Sequence, residues 1–192
     1  MIPTLTALKK FDDAHKRGDV TLDRIGLILY QPFQRAWCND TPKNGHIFAG
    51  TGGDSVHFCI LEVSGQITDD SPVVMVVPCN PDISRLIVGD TMRDFLALGS
   101  VIGFPVLDQL VYDFDKTLGY LFDYDAYVRY DYFGAEPPKE DLEDIAVRKR
   151  FLRMFSKTFG LSPWPNPRAK FEALQKKWSA KIELPAPASA VT

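Results

Sequence analysis

Within one short stretch, Gly50-Thr51-Gly52-Gly53-Asp54-Ser55-Val56-His57, the chain gathers glycines, a carboxylate, a hydroxyl and an imidazole. Three kinds of chemistry use such groups. A phosphate-binding loop leads its glycines into a helix N-terminus and ends in Lys-Ser or Lys-Thr. Here the segment runs into the apolar stretch Phe58-Cys59-Ile60-Leu61 and carries Asp54 where a lysine would be needed. A nucleophile elbow requires glycine two residues after its serine, and His57 stands at that place. A metal site from His46, Asp54 and His57 lacks a cysteine or a second acidic ligand at recognised spacing. Ser55 and His57 would share one face of an extended strand, where the imidazole is a poor acceptor for the serine proton. No catalytic residue, metal or cofactor is assigned on these grounds. The simplest reading is a turn between strands, with glycines at positive φ and His57 as a hydrogen-bonded strand histidine. A ligand site built from Gly52, Gly53, Asp54 and His57 stays open as the alternative.

The second concentration of polar chemistry is electrostatic. Asp108 to Asp144 holds eleven acids against three bases, and Ile145 to Lys181 holds ten bases against Glu172. Such a split can form an acidic patch that attracts a cationic partner and speeds encounter. Its aromatic part, from Asp123 to Phe133, suits an interface core. The expected partner-binding residues are Asp123, Tyr124, Asp125, Tyr127 and Asp131. The competing reading is that acids and bases pair within the fold and the tyrosines are half-buried.

The elements that must position these groups follow from periodicity. Leu5, Leu8 and Phe11 predict an amphipathic helix over 4–17, with Thr4 as its cap and Gly18 as its stop. Ile25 to Tyr30 reads as a helix end or a short strand, broken after Pro32. Four short apolar runs between His46 and Gly89, separated by turn residues such as Ser64-Gly65, predict an antiparallel meander; parallel crossovers would need longer connections. Thr91-x-x-Asp94 resembles a capping box opening a helix with Met92, Phe95 and Leu96 inward. Leu107, Leu110, Val111 and Phe114 suggest a further helical stretch. Over 120–133 the alternation of Phe122, Tyr124, Ala126, Val128, Tyr130 and Tyr132 favours a strand, although a helix remains open. Two C-terminal helices span about 139–181, the first closed by Gly160, the second opened by Asn166-Pro167. The expectation is one α+β domain over 1–184, an antiparallel β-meander sheet (core about 46–89) packed against helices with a helical C-terminal region, followed by a flexible tail over 185–192.

Composition bounds the rest. At 192 residues, with 45% hydrophobic and 24% charged residues, the chain is long enough to bury a core without staples. A formal net charge of −3 argues against nucleic acid as the partner. No apolar run approaches the roughly 20 residues that span a bilayer, and the N-terminus has the wrong charge order for a signal peptide. Cys38, Cys59 and Cys79 are odd in number and widely spaced, with no Cys-x-x-Cys pair, which fits reduced thiols and a cytoplasmic location.

Three segments together resemble the SUKH superfamily, which includes a yeast cell-wall-assembly regulator and many bacterial toxin-immunity proteins. They are Phe48-Ala49-Gly50-Thr51-Gly52-Gly53-Asp54-Ser55-Val56-His57-Phe58, then Ser71-Pro72-Val73-Val74-Met75-Val76-Val77-Pro78, then Ile87-Val88-Gly89-Asp90-Thr91-Met92-Arg93-Asp94-Phe95-Leu96. Trp37 stands in for the tryptophan often seen ahead of the glycine segment. The resemblance covers about residues 37–98, and the last helices read as an extension. It implies a non-enzymatic interaction domain, in bacteria often an immunity protein that neutralises a toxin, and it supplies no catalytic residues. The leading expectation is therefore an immunity-type protein that binds a basic toxin through its acidic, tyrosine-rich surface. A small enzyme or ligand-binding protein using the glycine segment, and a regulatory or scaffold protein without a toxin, are the alternatives.

Overall fold

A computed structural model describes residues 2–16, 21–35, 37–80 and 82–185. The architecture is α+β. Five strands, β1 (Ile28–Gln34), β2 (Gly45–Gly50), β3 (His57–Leu61), β4 (Val73–Val76) and β5 (Arg85–Gly89), pair in sequence order, each antiparallel to the next. That is the meander predicted from the short runs. Every residue of β2, β3 and β4 is buried, so both faces of the central sheet are covered.

On one face an aromatic column joins sheet to helices. Helices α1 (Pro3–His15), α2 (Met92–Gly99) and α5 (Lys139–Phe159) supply Phe11, Phe95 and Phe155. Phe58 of β3 lies 4.8 Å from Phe95, Phe95 lies 5.0 Å from Phe104, and Phe104 meets Phe155 at 6.3 Å, edge to face. Phe155 in turn contacts Phe11 at 5.8 Å. Such pairs add about 0.5–1.5 kcal/mol each beyond the area they bury. The final helix, α6 (Pro167–Trp178), closes the β5 edge. The Gln175 amide accepts from the Ile87 N–H at 3.1 Å and donates to the Ile87 carbonyl at 2.9 Å, substituting for a sixth strand at the edge.

Several local expectations hold. The Thr91 hydroxyl accepts from the Asp94 N–H, and the Asn166 side chain accepts from the Ala169 N–H with Pro167 in the first turn. Gly160 ends α5 at φ 58°. Ile25 to Tyr30 contains both alternatives, a 3-10 turn ending at Ile25 and then β1.

Others need correction. Residues 120–133 are not extended: α4 covers Tyr124–Asp131 between turns, following the short α3 (Phe114–Leu118). Asp123 decides it, because its carboxylate accepts from the Asp125 and Ala126 N–H groups and so nucleates a turn. Tyr124 and Tyr127, three apart, then fall on one buried face of α4, and Tyr120 is buried in the turn before it. Pro32 lies inside β1, which an edge strand tolerates because an outward-facing N–H is not needed. Thr4 does not cap α1; Ile2 precedes the helix, and the Thr4 N–H is received by the distant Asp69 carboxylate at 3.2 Å. The stretch after Pro105 is a 3-10 helix to Val111, and Phe114 starts a separate helix capped by Asp113. Gly18, and the tail from residue 186 onward, lie outside the described residues.

Candidate functional site

The glycine segment is the tip of the β2–β3 hairpin. The Val56 N–H bonds the Gly53 carbonyl at 3.0 Å, with Asp54 and Ser55 between them at φ 47° and 57°. Two positive φ angles inside a four-residue turn define type I′, whose twist matches the flanking strands. The glycine expectation is thus half met. Gly52 takes φ 84°, but the turn centre is Asp54-Ser55, and aspartate tolerates the left-handed region better than most residues. Ser55 is not extended, so it does not share a strand face with His57.

His57 is fully buried, whereas Gly52, Gly53 and Asp54 are exposed at the tip. One imidazole nitrogen, Nδ1, lies 2.7 Å from the Ser55 carbonyl, which can only accept, so Nδ1 carries the proton. Nε2 is then bare and accepts from the Thr41 hydroxyl at 3.0 Å. Trp37 covers the ring at 5.2 Å. Burial lowers the His57 pKa from its ordinary value, more than the Ser55 carbonyl and Asp40 raise it. Both nitrogens are committed and the neutral form is favoured, as for a structural histidine. Cys59, on the same strand, has its thiol pushed up by burial. Among the described residues, no group of three or more His, Cys, Asp or Glu is arranged to hold a metal ion. His46 instead bonds Glu62 at 2.9 Å.

The acidic, tyrosine-rich segment divides into two parts. Tyr124 and Tyr127 are each only 5% exposed. The Tyr124 hydroxyl donates to the Ile145 carbonyl at 3.0 Å and accepts from Arg148 Nε at 3.2 Å. These two rings fasten α4 to α5 and are unavailable to a partner. Several acids are met by bases: Asp125 by Lys149 at 2.6 Å and Asp115 by Arg168 at 2.5 Å, both from the basic stretch, and Asp144 by Arg24 from the N-terminal region. Asp123 spends its carboxylate on the helix cap.

The other part stays open. Asp131 is exposed at the end of α4 and forms no ion pair among the described residues. Phe133, two residues on, sits at φ 54° and is 99% exposed. A groove of about 360 Å³ runs beside it, lined by Val106, Asp108, Tyr130 and Asp131. Asp108 is half-buried there, and burial raises its pKa, with the nearby Asp54 carboxylate adding to the effect. Tyr130 stacks on Tyr120 with ring centroids 4.5 Å apart, which keeps one wall of the groove in place. Sequence reasoning placed Phe133 in the aromatic stretch without singling it out. The available signal was a large apolar residue directly before Gly134, just past a helix end.

Among the described residues, no helix is long and apolar enough to cross a membrane. The chain matches no family model, no curated protein and no solved structure.

Proposed function

We propose that this chain is a non-enzymatic protein-binding domain of the immunity type, acting in the cytoplasm to neutralise a basic toxin through the acidic rim around Phe133. One observation carries the reading: a phenyl ring held fully in water by a backbone conformation that L-residues avoid. The left-handed region costs a non-glycine residue about 1–2 kcal/mol, and the exposed ring gains nothing from the fold. A bound partner supplies the burial that the chain itself withholds. Asp131 and Asp108 give the rim its sign, and complementary charge raises association rates more than it raises affinity. Tyr127 supports this surface from beneath. The SUKH resemblance points to the same class of activity. The glycine segment offers less, because His57 is enclosed and internally bonded while Asp54 is exposed at the hairpin tip.

Co-expression with a toxin encoded beside this chain tests the reading. Protection of the host and a complex that co-elutes on size exclusion are expected, with Phe133→Ala weakening the complex and Asp131→Lys slowing association at low salt. Absence of both protection and complex overturns it. A complex without protection supports the scaffold alternative.

A further inference from the structure

On the opposite side of the chain's charge balance lies a donor-rich cleft of about 630 Å³, between the start of α6, the end of α5 and one side of α2. Ligand pockets fall in this size range. Trp164 forms part of its wall, is only 6% exposed, and has a buried indole N–H with no hydrogen-bond acceptor among the described residues. A buried donor without an acceptor is the exception in folded proteins and asks for an explanation.

The surrounding groups share one sign of chemistry. The Arg93 guanidinium bonds only to neutral acceptors, the Phe159 carbonyl at 3.3 Å and the Gly160 carbonyl, and so is held in place without an ion-pair partner among the described residues. Lys170 lies over the Trp164 ring at 5.7 Å and pairs with Asp94 at 2.7 Å. Arg93 and Lys170 against Asp94 leave the lining positive, in a chain whose net charge is negative. The N-terminus of the twelve-residue α6 opens on the same cleft. Its dipole favours an anion at that end. Asn166 spends its side-chain oxygen on the Ala169 N–H, which leaves its amide nitrogen as another donor. Ala97, Leu161, Pro163 and Pro165 complete the walls with apolar surface.

We infer that this cleft binds a small carboxylate carried on an apolar body, with the Trp164 indole N–H and the Arg93 guanidinium as its donors. The oxyanion lies toward the α6 N-terminus, and the apolar part lies against the proline and leucine walls. The site is independent of the rim around Phe133.

The full chain, labelled with 15N, gives separate indole signals for its three tryptophans, and Trp164→Phe identifies the one that matters. Titration with benzoate should move the Trp164 signal saturably, while neutral benzamide should not. Arg93→Met should weaken benzoate about tenfold, as the loss of one charge-assisted hydrogen bond. Because Arg93 also holds the end of α5, Asp94→Asn is the second variant; it removes the one negative group in the lining and should tighten benzoate several-fold. A Trp164 signal that ignores benzoate, or that answers benzamide equally, overturns the assignment. So do inorganic phosphate binding as tightly as benzoate and an affinity unchanged in Asp94→Asn.

Discussion

The β2–β3 hairpin and the region around α4 both gather polar and aromatic residues, yet the fold treats them in opposite ways. At the hairpin, the one side chain with catalytic promise is enclosed: His57 gives one nitrogen to Ser55 and the other to Thr41. At α4, the inward tyrosines and the acids nearest α5 are consumed in the same manner, but the helix ends early and leaves Asp131 and Phe133 facing outward. The difference teaches that residue type proposes chemistry, and the number of partners already satisfied decides whether any chemistry is left. Buried polar groups find partners within the protein, so a candidate site is sought where a group has none.

The comparison can be broken most directly at Tyr127. If its ring is core, Tyr127→Ala destabilises the chain by about 3 kcal/mol, read as a lower denaturant midpoint; an unchanged midpoint would return Tyr127 to the interface. The Asp123 cap is the next largest. Asp123→Ala should cost about 1 kcal/mol and reduce the helical signal near α4, whereas a surface acid without a capping role would cost little.

The pH response sharpens the hairpin side. Burial holds His57 below the ordinary imidazole value of about 6.5. The unfolded chain therefore takes up this proton first as the pH falls. Stability from neutral His57 is complete above about 6.5 and is lost as the pH drops from there toward the folded value. Denaturation at pH 7.5 and 5.5 should show a smaller pH difference for His57→Gln than for the parent chain; equal differences would mean that His57 titrates freely. The smallest effect belongs to the open side. Phe133→Gly relieves the left-handed backbone and should raise stability by at most about 1 kcal/mol while weakening a partner complex. A clear loss of stability would show that the ring serves the fold.

Much of this was legible because it is local. Short apolar runs separated by Ser64-Gly65 and the glycine segment determine a meander, since antiparallel pairing is all that such short connections allow. Thr91, Asn166-Pro167 and Gly160 mark helix ends through hydrogen bonds and φ angles reaching only a few residues. The stretch 120–133 misled because its tyrosines satisfy a two-residue alternation and a helical spacing at once. A capping carboxylate and the apolar face of α5 settle it in favour of helix.

By itself, then, the sequence determined an α+β chain with a meander at its centre and helices at its end, because turn chemistry and apolar periodicity act over neighbouring residues. Only the tertiary structure decided which charges cancel. Asp125 meets Lys149 and Asp115 meets Arg168 across separations of 24 and 53 residues, distances over which no pattern in the chain records a partner. The same holds for the groups left over. That Phe133 stands in water, and that the Trp164 N–H has no acceptor among the described residues, are facts about what surrounds them, fixed when distant segments close around one core.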